Sequence, residues 1–248
     1  MKSRLRIVWC ASAIAVVLGL AGCPRPEPSD ADLAAAFTAA VADAQQPTAG
    51  KICRSLTPVA GYNDALVWEG EPGASRVLMT TWTSYPGYVV GKSYKARSYE
   101  KYQPSVDLWV TAVPEVKDFV RRHPLATCAN LDLRLKQLLG MPHTTSRTWF
   151  VEFWVHPEDL FRPSADPEVS DREAELAFRP DTAAQTTSAE HVAWIENQVA
   201  TNTWPWTRLG YTYDWGNPVN HVGLSEFIIR RNADITVVSI TPTAEYAE

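Results

Sequence analysis

Three side chains suited to acid–base chemistry lie near one another in the sequence: Asp214, His221 and Glu226. A carboxylate can orient an imidazole through a hydrogen bond, and a second carboxylate can shift the imidazole pKa. Residues 216–223 form a connection short enough to bring the three together if the flanking strands are neighbours. This pattern supports one hypothesis, that the chain is a hydrolase or transferase with these residues as its catalytic group.

The same stretch carries four candidate substrate-binding residues: Trp206, Arg208, Tyr211 and Tyr213. The aromatic rings offer flat apolar faces, and the guanidinium of Arg208 suits an anionic group. The alternative interpretation is that the rings pack the sheet while Arg208 or Arg230 neutralises the two carboxylates. Dense aromatic strands usually belong to the core, and we therefore favour this structural interpretation over a catalytic one.

The segment from His156 to Asp171 is rich in proline and in acidic residues, whose oxygens are the ligands that calcium prefers. The spacing and central glycine of an EF-hand are missing, which favours a solvated acidic loop. The sequence also contains no phosphate-binding loop, no dinucleotide-binding glycine pattern and no His-Glu-x-x-His zinc motif. It therefore predicts no metal site and no cofactor.

A second aromatic region extends from Tyr85 to Tyr102, where tyrosines alternate with basic residues. Rings of this kind can stack on sugars while amines meet carboxylates, and a polar surface loop is the alternative. The residues concerned are Tyr85, Tyr88, Lys92, Tyr94, Lys95, Arg97, Tyr99, Lys101 and Tyr102.

Hydrophobic periodicity predicts the elements that must position these residues. Strands before, between and after the helices indicate an α+β fold, a mainly antiparallel sheet with three or four helices packed on it. The last two strands are expected to form a hairpin through residues 231–234. The predicted helices are 30–46, 114–123, 129–139 and 188–200, and the predicted strands are 65–68, 76–83, 106–111, 148–155, 204–215, 227–230 and 235–240.

The N-terminus has the pattern of an export signal. Basic residues precede an apolar run, residues 7–20, that is too short for an ordinary spanning helix. The run ends in Leu20-Ala21-Gly22-Cys23, which resembles the lipobox of bacterial lipoproteins. The resemblance implies cleavage before Cys23 and a diacylglyceryl thioether on its sulfur. It divides the chain into a signal peptide (1–22), a lipidated tether with a short alanine-rich helix (23–50) and a single globular domain (51–248).

The same resemblance implies a location in the cell envelope. The lipid would join the protein to a membrane, with the globular domain facing the periplasm. Pro24 follows the lipidated cysteine, and no aspartate stands beside it. In lipoproteins of this type, that absence favours the outer membrane over the inner one.

Cys53 and Cys128 remain once Cys10 leaves with the signal peptide and Cys23 takes the lipid. Two cysteines in an oxidising compartment predict one disulfide, with two buried thiols or a catalytic cysteine as alternatives. Their distance in a folded structure tests this pairing, because alpha carbons more than about 7 Å apart cannot be bridged.

The formal net charge is −5. Removal of the basic signal peptide makes the mature chain more acidic still, which argues against a nucleic-acid partner. The preferred hypothesis is a non-catalytic envelope lipoprotein, a binding or assembly module with an aromatic surface for a protein or cell-wall partner. The hydrolase or transferase hypothesis remains the alternative.

Overall fold

A computed structural model describes residues 27–88, 100–122, 130–179 and 187–246. Its main element is a seven-stranded antiparallel sheet with the strand order β2-β9-β4-β1-β3-β8-β5, and a two-stranded hairpin, β6 and β7, lies apart from it. The strands are β1 Val77–Thr83, β2 Glu100–Tyr102, β3 Leu108–Ala112, β4 Trp149–Val155, β5 Leu160–Phe161, β6 Tyr211–Tyr213, β7 Val222–Ser225, β8 Phe227–Ile229 and β9 Ile235–Pro242.

Five helices accompany the sheet: α1 Asp30–Ala44, α2 Glu115–Arg122, α3 Leu131–Leu138, α4 Ala189–Thr201 and the short α5 Thr243–Tyr246. The prediction of an α+β fold with a mainly antiparallel sheet is thereby confirmed. Among the described residues, no helix has the length and apolar character needed to cross a bilayer.

The centre of the sheet is apolar on both faces because β1 and β4 consist of bulky side chains in nearly every position. One face carries the main core, built around Met79, Val151, Phe153 and Phe227. On the opposite face Trp82 stacks on Phe150, with ring centroids 5.6 Å apart. Helices α2, α3 and α5 cover this second face, through Val116, Phe119, Val120, Leu135, Leu138 and Tyr246.

Side chains fix the starts of the two longest helices. Ser29 caps α1 in a reciprocal arrangement with Asp32, in which each side chain bonds the backbone of the other residue. Ser188 caps α4 by accepting from the backbone N–H of His191. Helix α1 then packs against the hairpin, with the ring of Phe37 on its inner side 6.0 Å from that of Trp215.

The structure corrects three details of the predicted elements. β8 and β9 do not form a hairpin: β8 pairs with β3 and β5, while β9 lies between β2 and β4. Residues 204–215 are extended only in β6, because Pro205 and positive φ angles at Arg208 and Gly210 interrupt the segment before it. Residues 65–68 contribute only an isolated bridge between Trp68 and Val77.

Candidate functional site

Asp214 lies at the end of β6, and its carboxylate already has strong partners. Both oxygens accept hydrogen bonds from the guanidinium of Arg134, at 2.8 and 2.6 Å, and Oδ1 also accepts from the backbone N–H of Gly216 at 3.1 Å. The aspartate is buried. These contacts give Asp214 a place in the packing of α3 against the hairpin.

His221 faces the backbone of Asp214, away from its carboxylate. Its Nδ1 lies 3.2 Å from the Asp214 carbonyl oxygen, and its ring stacks on Tyr213 with centroids 4.6 Å apart. Among the described residues, no hydrogen bond joins the side chains of Asp214, His221 and Glu226 to one another. The three residues are close in the chain, but the structure gives each a separate environment.

Arg208, Tyr211 and Tyr213 bind the segment that contains and follows α1. Arg208 Nη2 donates to the carbonyl of Gln45 at 2.7 Å, and the hydroxyl of Tyr211 donates to the carbonyl of Lys51 at 2.9 Å. The hydroxyl of Tyr213 donates to Asp43 Oδ2 at 2.9 Å. The polar groups of these three residues therefore fasten α1 to the hairpin.

Three of the predicted site residues, Trp206, Tyr213 and Glu226, line one cleft of about 480 Å³. This volume falls within the range of about 300–1,000 Å³ typical of small-molecule sites. The lining comes from the ends of β1 and β3, from the loop after α3, and from the last turn of α4 with the loop that follows it. Elements distant in sequence thus build the cleft.

Indole rings form one wall of this cleft. Trp109 and Trp206 meet edge to face with centroids 6.0 Å apart, and Trp194 supports both from behind, at 6.2 and 6.1 Å. Trp206 is fixed further by the hydrogen bond from its Nε1 to the carbonyl of Pro163 at 3.1 Å. Trp204 lies at the rim, where it is 37% exposed. The wall is rigid because its rings are packed, whereas the rim ring remains accessible.

Glu226 lines both the cleft and a smaller, mainly apolar extension of about 50 Å³ that reaches Val116 and Phe150. Its Oε2 is fully covered and has no hydrogen-bond partner in the described part of the chain. Burial alone, with no neighbouring charge, raises the pKa of Glu226 to about 8. At neutral pH the residue is therefore mainly a neutral carboxylic acid, able to donate a hydrogen bond.

Polar residues complete the lining of the cleft. Thr81 and Thr83 come from β1 and Asn202 from the C-terminal cap of α4, where its Oδ1 accepts from the backbone N–H of Trp204 at 2.7 Å. Arg147 and Asp107 add charges of opposite sign. The two oxygens of Asp107 accept from Trp194 Nε1 and from a backbone N–H, at 2.7 and 2.9 Å, whereas Arg147 pairs with no described carboxylate.

Trp109, Arg147 and Asn202 line the cleft although no sequence pattern marks them as binding residues. Trp109 stands in a strand that reads as ordinary core, and Arg147 precedes β4 with no motif around it. Only the pairing of β3 with β1 and of β1 with β4 brings them to one place. Trp204 stands in the aromatic stretch that the sequence singled out, which was the available signal.

The acidic segment does form a cluster: oxygens of Asp166, Glu168 and Asp171 lie within 4.8 Å of one another. However, Arg179 Nη2 binds Asp166 at 2.8 Å and Glu168 at 3.2 Å. Glu175 hydrogen-bonds Asp166, which together with burial raises the pKa of Glu175 to about 7. Arg179 thus already neutralises part of the charge of these carboxylates.

Some of the other residues singled out in the sequence lie within the described part of the chain, and some lie outside it. Tyr88 is buried between Tyr85, Tyr102 and Phe153, with centroids 5.2 to 5.3 Å away, so it belongs to the core. Of the remaining residues of that segment, those numbered 89–99 lie outside the described residues. Cys53 is buried, its Sγ lies 3.4 Å from Ser55 Oγ, and it forms no disulfide with another cysteine among the described residues. Its predicted partner Cys128 and the lipidation site Cys23 also lie outside, and both predictions stand as predictions.

Comparisons with protein-family models, with curated protein sequences and with solved structures found no match.

Proposed function

We propose that this chain is an envelope lipoprotein, anchored through a lipid on Cys23, whose globular part binds a carbohydrate chain of the cell wall in the tryptophan-lined cleft. The tetrapeptide Leu20-Ala21-Gly22-Cys23 supports the anchor. The single observation that carries the binding function is the combination of accessible indole and hydroxyl or amide side chains in one cleft of about 480 Å³.

The chemistry of this lining suits a sugar. A pyranose ring has apolar faces of C–H groups and a polar edge of hydroxyls, so it stacks on an indole while its edge exchanges hydrogen bonds. Trp204 and Trp109 provide the indoles, and Thr81, Thr83 and Asn202 provide groups that donate and accept. The protonated carboxyl of Glu226 adds a donor to the lining.

Binding fits these residues better than catalysis does. Glycoside hydrolysis ordinarily uses two carboxyl groups, one acid and one base or nucleophile. Glu226 has the properties of an acid, but both oxygens of Asp107 already accept hydrogen bonds from Trp194 and the backbone of Arg231. Asp214 is bound by Arg134. A glycoside hydrolase with Glu226 as its acid is the second candidate, favoured by the raised pKa of that one residue.

The test measures binding of the full-length lipoprotein, in detergent, to purified cell-wall sacculi and to oligomers of N-acetylglucosamine. Trp204→Ala should weaken binding at least tenfold and leave stability within about 1 kcal/mol, because loss of one stacking ring removes a contact with ligand rather than core packing. Tyr62→Ala is the matched control, since Tyr62 is 64% exposed and lies outside the cleft lining.

Equal binding by the wild type and Trp204→Ala, or no binding to either probe, would overturn the proposal. Release of reducing ends from the oligomers, lost in Glu226→Gln, would instead establish the hydrolase candidate. Mass analysis of the N-terminal peptide from the same preparation tests the lipid on Cys23.

A further inference from the structure

Arg147 differs in its surroundings from three other half-buried arginines among the described residues. Arg76, Arg134 and Arg179 each bind at least one carboxylate, at 2.6 to 2.8 Å. Arg147 is half-buried as well. Among the described residues, however, its guanidinium makes only one hydrogen bond, from Nη1 to the carbonyl of the adjacent Ser146 at 3.0 Å. A guanidinium has five N–H donors, so most of those of Arg147 have no described acceptor.

Partial burial of an unpaired cation is unfavourable. Burial lowers the pKa of Arg147, and no acid among the described residues opposes this shift. Arg147 lines the cleft, where an incoming ligand can reach its guanidinium. An arginine held without its counter-ion in a ligand cleft is the arrangement expected when the ligand brings the negative charge.

The backbone around Arg147 is fixed, so the guanidinium is presented from a defined place. The N–H of Thr148 donates to the carbonyl of Thr83 at 3.1 Å, and the hydroxyl of Ser84 donates to the carbonyl of Ser146 at 3.0 Å. Both bonds join the start of β4 to the end of β1. Glu226 is held by different strands: it precedes Phe227, the first residue of β8, which pairs with Val110 in β3.

The other carboxyl groups of the cleft do not supply a counter-ion. Glu226 is mainly neutral at pH 7, and neither its pKa nor that of Arg147 is affected by the other. Asp107 accepts two hydrogen bonds from Trp194 and Arg231, which hold its charge toward those donors. The cleft therefore offers an anionic ligand a cation without a described carboxylate partner, Arg147, and an uncharged donor, Glu226.

We infer that the saccharide bound in this cleft is acidic, and that Arg147 recognises its anionic substituent, a carboxylate or a phosphate, while the tryptophans hold the ring. This inference rests on the proposed carbohydrate binding and names the class of ligand. It also replaces Arg208, the sequence-based candidate for an anion, because Arg208 bonds the carbonyl of Gln45 and does not line the cleft.

The test compares two pairs of ligands, and the charged and the neutral member of each pair share one disaccharide. The full-length protein is titrated with a disaccharide of N-acetylglucosamine and N-acetylmuramic acid, with the methyl ester of its lactyl carboxylate, with chitobiose and with chitobiose 1-phosphate. We expect the free acid or the phosphate to bind at least tenfold more tightly than its neutral counterpart. The pair that shows the difference identifies which anion is recognised.

Arg147→Gln should reduce the affinity for the charged ligand to that for the neutral one and leave the neutral affinity unchanged, and Arg147→Lys should retain part of the difference. Arg208→Gln is the matched control, a second half-buried arginine without a described carboxylate partner, and should keep the wild-type preference.

Two results would overturn the inference. Equal affinity of the wild type for charged and neutral ligands would refute anion recognition and leave the carbohydrate proposal intact. Loss of the preference for the charged ligand in Arg208→Gln, with the preference kept in Arg147→Gln, would show that Arg208 and not Arg147 recognises the anion. Failure of all four ligands to bind would instead remove the carbohydrate proposal, and with it this inference.

Discussion

The guanidinium of Arg134 binds both carboxylate oxygens of Asp214, at 2.8 and 2.6 Å, and this pair joins α3 to the end of β6. Only 4% of the Asp214 side chain and 19% of the Arg134 side chain are exposed. The ring of Phe119 lies against the same guanidinium, with its centroid 4.7 Å from Cζ. An aspartate that the sequence offered as a catalytic candidate is thus half of a buried structural ion pair.

Asp214→Ala should lower the free energy of unfolding by about 3–5 kcal/mol, because it leaves the buried guanidinium of Arg134 without its partner. Chemical denaturation at pH 7 measures the loss. His221→Ala is the comparison, expected to cost less than about 1 kcal/mol, since its ring is half-buried and its one polar contact is to a backbone carbonyl. A stable Asp214→Ala variant would contradict the structural role.

Glu226 should make the stability of the protein fall as pH rises. The pKa of Glu226 is about 8 in the folded chain, against an ordinary glutamate value of about 4.3 when unfolded. Between these values the folded state holds a proton that the unfolded state has lost, so the free energy of unfolding decreases by up to about 1.4 kcal/mol per pH unit. The contribution is fully present below pH 4 and is lost by about pH 8.

Glu226→Gln should remove this dependence, because an amide does not titrate. The measurement is urea denaturation of both proteins at intervals from pH 4.5 to 8.5. Glu115 has a pKa raised to about 7 by burial and affects the wild type and the variant alike, so the difference between the two curves isolates Glu226. Parallel curves would show that Glu226 has an ordinary pKa and is solvated.

Asp43 should control how firmly α1 is attached. Its carboxylate accepts from Lys51 Nζ and from the hydroxyl of Tyr213, both at 2.9 Å, and the Lys51 bond is the main reason that the pKa of Asp43 is lowered. Asp43→Ala should therefore speed hydrogen exchange in α1 and leave the central strands unchanged. Thr38→Ala, an exposed change on the same helix, should leave exchange unaffected.

The sign of the pKa shift adds a second expectation for Asp43. A lowered folded pKa gives a contribution that is present above the unfolded pKa and is lost as pH falls through the folded value. Exchange from α1 in the wild type should therefore increase in acid, relative to the central strands, and Asp43→Ala should not show this increase. Identical acid profiles would mean that apolar packing alone attaches the helix.

Local patterns predicted most of the elements but not the partners of the strands. The helices beginning after Ser29 and Ser188 are marked by capping residues and apolar spacing, both of which act within a few residues. Whether β8 pairs with β9 or with β3 depends on which apolar faces fit together in the finished sheet. Propensity and turn residues do not contain that information.

In the candidate site too, local sequence patterns predict some features, whereas others depend on contacts between distant segments. Two of the aromatic residues that the sequence marks as binding candidates, Trp206 and Tyr213, line the cleft, because the density of aromatic residues is visible in the sequence. The orientation of the polar side chains of the cleft cannot be predicted from the sequence, because the direction of a side chain at a strand end depends on local bulges and on neighbouring elements. Arg134, the partner of Asp214, lies in a helix 80 residues earlier in the chain.

If Cys23 carries the proposed lipid, the docking of α1 on the hairpin through Leu33 and Phe37 also limits the distance between the cleft and the membrane. Six residues, Pro24 to Ser29, stand between Cys23 and the first residue of α1. Six residues span at most about 20 Å. Under the proposed anchoring, the cleft would stay within a thin layer above the bilayer, and the protein would bind only ligands that reach this layer.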